Sequence, residues 1–218
     1  MGTIESNQVS VAIENLTDQE SLAYLSNSAP VGLVVSIFVD SEPGAHAPSP
    51  TKGQLALAIC DRVKEASPSA YERVEKWIDQ LATKKPGDVV GFNLGLTASE
   101  RAKFPIDRLI VITFEKGHSN QAAFLHRSMA EVLADAKRKG LAALVVPCIG
   151  YHWDEKHSLG FGDVFNPLFK ALDRSKRPLK LFISLYDMWP SMVIEDATRA
   201  LNRAGGTAAS TTGGQPSH

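Results

Sequence analysis

The stretch RLIVITFEKGHSNQAAFLHRSMAEVLADAKRKGLAALVVPCIGY, Arg108 to Tyr151, decides how the rest of the chain is arranged. Residues 109–114 (LIVITF) and 142–146 (AALVV) are apolar without clean alternation, the pattern of strands covered on both faces. Between them Ala122, Leu125, Met129, Val132, Leu133 and Ala136 recur at the spacing of one helical face. Ser119 and Asn120 can cap the first turn. Lys137, Arg138 and Lys139 suit the last turn, and Gly140 suits the C′ position. Strand, helix and strand predict a right-handed crossover between parallel strands. Ligands of such sheets bind outside the carboxyl ends of the strands, and Pro147–Gly150 falls at such an end.

Outward from this unit, 9–13 and 31–39 (VGLVVSIFV) read as strands, with a Thr17–Glu20 capping box and a short helix carrying Leu22 and Leu25 between them. The segment 40–50 (DSEPGAHAPSP) is too rich in proline for a sheet centre and reads as loop. Thr51–Gln54 matches a second capping box, opening a helix with Leu55, Ala58, Ile59 and Val63. Ser67-Pro68 starts the next helix, whose stripe is Tyr71, Val74, Trp77, Ile78 and Leu81. Pro86-Gly87-Asp88 ends the helical stretch. A strand follows over 89–96, then a polar connection over 97–107. Past Tyr151, the loop 151–162 leads to a helix capped by Asp163, a last strand over 179–186 and a last helix from Ser191 to about Ala204. The segment 205–218 is small and polar and cannot bury a core. The expected architecture is a three-layer α/β/α sandwich with a mixed sheet of about six strands. The expected boundaries are an extension over 1–8, a domain over 9–204 and a disordered tail over 205–218.

Composition narrows the function. The chain has 218 residues, 44% apolar and 22% charged, with a formal net charge of -1, so no general basic field predicts a nucleic-acid or membrane partner. No apolar run approaches the ~20 residues of a membrane span, and no signal sequence stands at Met1, so a cytoplasmic location is expected. Cys60 and Cys148 are too few for a disulfide framework, lack zinc spacing, and read as small buried hydrophobes.

Four segments, in order and spacing, resemble the macrodomain family, the module that binds ADP-ribose. They are Lys85-Pro86-Gly87-Asp88-Val89-Val90, the strand 109–114, the run 141–150 (LAALVVPCIG) and the closing strand 179–187. The Pro-x-Ile-Gly at 147–150 is the most specific of them. The resemblance implies a nucleotide pocket at the carboxyl ends of the strands. It would be lined by Asn15, Asp40, Gly44, Cys148, Ile149, Gly150, Tyr151, Trp153, Gly160, Phe161, Gly162, Met188 and Trp189. The expected partner is a small nucleotide such as ADP-ribose; no cofactor and no metal are expected, and a protein partner stays open.

Macrodomain hydrolases carry an asparagine-rich loop and a glycine run where this chain has 39–46 (VDSEPGAH). Hydrolysis is therefore the alternative reading, with Asp40, Glu42 or His46 as candidates to activate water. A module with a degenerate pocket is a further alternative. His152 and His157 flank Asp154 and Glu155, but their spacing matches no tight metal motif, and a solvated loop explains them as well.

Overall fold

The computed structural model describes residues 3–5, 9–13, 16, 22, 25, 30–39, 50–115, 122–147, 149, 165, 179–185 and 199. Their strands are β1 (Thr3–Glu5), β2 (Val9–Ile13), β3 (Val31–Val39), β4 (Thr51–Lys52), β5 (Val89–Asn93), β6 (Arg108–Glu115), β7 (Ala143–Pro147) and β8 (Lys180–Leu185). The helices are α1 (Gln54–Ala66), α2 (Pro68–Gln80), α3 (Ala98–Lys103) and α4 (Ala122–Arg138). The strands form one mixed sheet in the order β1-β2-β8-β7-β3-β6-β5, with β4 added to β3. All six expected strands are present, joined by the short β1 and β4.

β2, β8, β7, β3 and β6 are mutually parallel, and β1, β4 and β5 run antiparallel to their neighbours. Every residue of β6 but the last is buried, and so is all of β7, as expected of strands covered on both faces. One core joins Val31, Leu33, Val35 and Ile37 of β3 and Leu109 and Val111 of β6 to Ile59, Val63, Val74 and Ile78 of α1 and α2. Side chains alternate along a strand, so Arg108, Ile110 and Ile112 share the opposite face of β6. Arg108 there bonds Asp135 of α4, which places α4 on that face and completes three layers. Leu125, Met129, Val132, Leu133 and Ala136 of α4 are all buried, the stripe expected from their spacing.

Local chemistry sets the helix ends. Ser67 accepts a bond from the Ala70 N–H at 3.3 Å, with Pro68 in the first helical turn of α2. α4 closes as the sequence predicts. Gly140 takes φ 66°, its N–H bonds the Lys137 carbonyl at 3.1 Å, and the Leu141 N–H bonds the Ala136 carbonyl at 3.0 Å. These two bonds define a Schellman motif.

Three expectations are corrected. Thr51–Gln54 is no capping box: Thr51 and Lys52 are β4, and the residue before α1 is Gly53, which makes no side-chain cap. Pairing with β3 claims the backbone that a cap would need. The 97–107 connection holds α3, opened by a true capping box in which Thr97 and Glu100 bond each other's backbone N–H. Phe104 and Ile106 behind it are fully buried. The strand expected over 89–96 ends at Asn93: the Leu94 N–H still bonds the carbonyl of Asp107, the next position in the register, at 2.9 Å, but the Asp107 N–H turns away to the Val31 carbonyl at 2.8 Å. The capping box at 17–20, the helices from Asp163 and Ser191 and the tail 205–218 lie outside the described residues, apart from Phe165 and Arg199, both helical.

Candidate functional site at the carboxyl edge

Five parallel strands bring Ile13, Leu185, Pro147, Val39 and Glu115 to one edge of the sheet. The next parallel strand in sequence after β3 is β6, on one side of it, and the next after β7 is β8, on the other side. The order therefore reverses between β3 and β7, where parallel sheets open a crevice for ligands. The register shows the opening. β3 pairs with β7 only from Val31↔Ala143 to Leu33↔Val145, then runs on to Val39, while β7 stops at Pro147.

β6 occupies one side of β3 as far as Val39↔Glu115. β4 pairs with Ile37 and Phe38, so it lies on the other side of β3, the side of β7. β4, the next described strand after β3, thus returns to the crevice side of β3 itself. Gly53 follows at close quarters, since a Cβ there would stand 3.3 Å from the Phe38 ring.

β4 is held by charge as well as by its ladder. Lys52 Nζ donates to both carboxylate oxygens of Glu75 on α2, at 2.6 and 2.8 Å. Burial alone would lower the Lys52 pKa, but the Glu75 bonds and nearby charges outweigh it and leave the ammonium raised. Cys60 is buried on α1 beside this pair. Burial pushes its thiol up to about 11; the Lys52 charge opposes the shift and the Glu75 carboxylate adds to it. Cys60 is a small hydrophobe here, as its sequence context predicts.

On the far side of β6, the turn before β5 reaches the same edge. Gly87 has φ 88°, the left-handed region that favours glycine. The buried Thr113 hydroxyl is shared between the carbonyls of Lys85 and Asp88, and Ser128 of α4 donates to the Gly87 carbonyl at 2.7 Å. Asp88 closes the turn by accepting from the Lys85 N–H at 3.0 Å.

The candidates follow these strand ends in the sequence. Asn15 comes two residues after Ile13, Asp40 directly after Val39, Cys148 directly after Pro147, and Met188 three after Leu185. Ile149 is described and is buried at 5% exposure. Asn15, Asp40, Glu42, Gly44, His46, Cys148, Gly150, Tyr151, Trp153, Gly160, Phe161, Gly162, Met188 and Trp189 lie outside the described residues, as do His152, Asp154, Glu155 and His157. Among the described residues no group of His, Cys, Asp or Glu could hold a metal ion, and no helix is long and apolar enough to cross a membrane. Lys52 and Glu75 were not among the expected site residues; 23 positions apart, they carry no sequence signal that joins them.

No protein-family model and no curated protein matches the chain. Solved structures do. The macro domain of ganglioside induced differentiation associated protein 2 aligns with a TM-score of 0.60 at 12% identity, over 91% of this chain and 84% of that one. The Oceanobacillus iheyensis macrodomain with ADP aligns with a TM-score of 0.57 at 14% identity, over 93% of this chain and 97% of that one; a mutant of it, solved with ADPR, aligns equally well. The macrodomain of Thermus aquaticus DarG aligns with a TM-score of 0.51 at 15% identity, over 81% and 97%. The fold is macrodomain-like, as the four sequence segments imply.

Proposed function

We propose that this chain binds ADP-ribose or a related NAD-derived nucleotide in the crevice between the carboxyl ends of β3 and β7. The observation that carries the reading is the reversal of strand order at β3 and β7, with the ladder between them ending at Leu33↔Val145. Val39 and Pro147, which Asp40 and Cys148 follow in the sequence, are the strand ends on either side of that opening. The Oceanobacillus iheyensis macrodomain, alike in fold, was solved with ADP and with ADPR. In this reading the backbone N–H groups around Gly150 receive the diphosphate, where a side chain would block approach. Tyr151 and Trp153 line one wall, with Met188 or Trp189 near the base. Asp40, Gly44 and the Gly160–Gly162 segment complete the lining.

Calorimetric titration with ADP-ribose tests the proposal. Saturable one-to-one binding, lost in Gly150→Glu with the melting curve unchanged, supports it. A parent chain that binds no NAD-derived nucleotide overturns it and leaves the interaction-module reading. Turnover of an ADP-ribosylated protein, abolished by Asp40→Ala, would make the chain a hydrolase instead.

A further inference from the structure

The sheet ends at β5, whose outer side pairs with no strand among the described residues. The ladder with β6 fixes which backbone groups face out. The Thr113 N–H bonds the Asp88 carbonyl at 3.0 Å, and the Leu94 N–H bonds the Asp107 carbonyl at 2.9 Å. In the same alternation Val90 and Phe92 turn their backbone groups to Val111 and Leu109 of β6. Val89, Gly91 and Asn93 therefore turn N–H and C=O outward. Val89 to Phe92 are partly exposed and Asn93 is exposed, so this side is open to solvent.

Edge strands are ordinarily guarded by a charge, a proline, a bulge or brevity. β5 (VVGFN) has no charge and no proline, and its register with β6 runs unbroken over all five residues. β1, at the other edge, has only three residues. The two faces of β5 also differ. Gly91 lies over Arg108, on the face it shares with Val89 and Asn93, while Val90 and Phe92 face α1 and α2. Trp77 of α2 stacks on Phe92 with ring centroids 5.0 Å apart. Trp77, Val90 and Phe92 pack on the core yet are only partly buried, which leaves an apolar strip along the edge.

We infer that β5 is a self-pairing edge: it adds antiparallel to β5 of a second copy about a two-fold axis at Gly91, joining two sheets into one. The strand is complementary to itself about that residue. Gly91 meets Gly91, and Val89 meets Asn93 on either side of the axis, so each outward N–H and C=O finds a partner. Moving the axis off Gly91 leaves some of these groups unpaired. Between them Val90 stands opposite Phe92 of the second copy at the closer, non-hydrogen-bonded spacing, and aromatic–β-branched pairs of this kind stabilise sheets. The two Trp77–Phe92 stacks then border one continuous apolar strip. Charge agrees with the register. One step beyond the strand, Asp88 falls opposite Leu94 of the second copy, and each Leu94 carbonyl holds its own chain's Arg73 guanidinium at 2.7 Å. Asp88 and Arg73 make no ion pair among the described residues. A foreign strand could use the same backbone groups, but the matches of Val90 to Phe92 and of Asp88 to Arg73 are matches of the chain to itself. β6 separates β5 from β3, so the association does not rest on nucleotide binding.

Sedimentation velocity of the full chain from about 1 to 100 µM spans the weak association of a small edge contact. The expected result is a monomer–dimer equilibrium. Val89→Pro removes an outward N–H at the first position of an edge strand, where proline is tolerated and the β6 ladder loses no donor. The dimer should weaken at least about tenfold, since the two-fold axis deletes the bond twice, while the melting curve stays unchanged. Cross-linking reads the register. In a Cys148→Ser background, mixed Val89→Cys and Asn93→Cys chains should form a disulfide-linked dimer under mild oxidation, because paired Cα atoms stand ~5.5 Å apart. Neither variant alone should cross-link. This arm decides by itself if Val89→Pro does not fold. A monomer throughout the range, a dimer that Val89→Pro leaves intact, or equal cross-linking by the single variants would each overturn the inference.

Discussion

Arg108 and Asp135 form a two-pronged pair in the interior, Nε to Oδ2 at 2.7 Å and Nη2 to Oδ1 at 3.0 Å, with both side chains 6% exposed. A third donor of Arg108, Nη1, bonds the Asn93 side chain. One guanidinium thereby joins β6, the sheet's edge strand β5 and helix α4. Removing one partner leaves an uncompensated buried charge. Asp135→Asn should therefore cost about 3–5 kcal/mol by urea denaturation, whereas Arg108→Met with Asp135→Leu should recover most of that loss. A double variant as unstable as the single one would mean that the ion pair itself supplies the stability.

The same pair predicts an acid limb. Burial alone would raise the Asp135 pKa, but the Arg108 and Arg138 bonds and charges outweigh it and hold the carboxyl below its ordinary value of 3.8. A group depressed in the folded state contributes stability above its unfolded pKa and loses it as pH falls through the folded one. Stability should therefore drop below about pH 4, and the drop should be smaller in the Arg108→Met, Asp135→Leu variant. Denaturation midpoints measured from pH 7 to pH 2 show whether it is.

Gly91 faces Arg108. A Cβ there would stand 2.1 Å from Nη2 and 2.5 Å from Cζ, and the guanidinium is tied at three points. The far end of an arginine ordinarily moves aside; this one is fixed. Gly91→Ala should cost about 1–3 kcal/mol, the range of overpacking. The cost should shrink when Asp135 is also removed, since the arginine is then free to yield. Purely additive free energies in that double-mutant cycle would show that Arg108 is not the obstacle.

Cys60 predicts a silent thiol. With Cys148 replaced by serine, native protein should react with a disulfide reagent at pH 7 far more slowly than urea-unfolded protein, because the thiol is buried and its pKa is about 11. The raised pKa also favours unfolding at high pH. The thiol's contribution to stability is complete below the ordinary value of 9.0 and is lost as pH rises toward 11. Prompt labelling of folded protein would contradict the burial.

The layers were legible because their residues obey strong local periodicities. The stripe of Leu125, Met129, Val132 and Leu133 and the unbroken apolar runs of β6 and β7 admit few other readings. The Pro-x-Ile-Gly at 147–150 placed the candidate site at a strand end. What escaped was non-local or short. β4 is two residues whose role comes from pairing with Ile37 and Phe38. α3 spans six residues and buries none of its own, so it has no apolar stripe to read, although Thr97 and Glu100 stood at capping-box spacing. Arg108 and Asp135, 27 positions apart, look like ordinary surface charges until the fold brings them together.

The last prediction joins the described geometry to the proposed nucleotide site. β4 is fastened by two ladder pairs and by Lys52 to Glu75, and α1 starts behind it without a side-chain cap. Severing the ion pair should loosen the point where the segment that begins at Asp40 returns to β3, while the interior core stays intact. Glu75→Gln keeps the shape and removes the charge. Lys52 and Glu75 are partly exposed, so the stability cost should stay near 1 kcal/mol or below. Affinity for ADP-ribose should fall several-fold, because a less ordered binding segment must be ordered by the ligand. Exchange of the two residues, Lys52→Glu with Glu75→Lys, should restore part of the loss, a recovery that simple removal of charge could not give. The sign of the pH effect also follows. The Lys52 ammonium is raised in the folded state, so its contribution is complete below the ordinary 10.5 and fades as pH climbs above it. Nucleotide affinity equal to the parent's in Glu75→Gln would detach β4 from the site, and failure of the parent to bind would count against the proposed function instead.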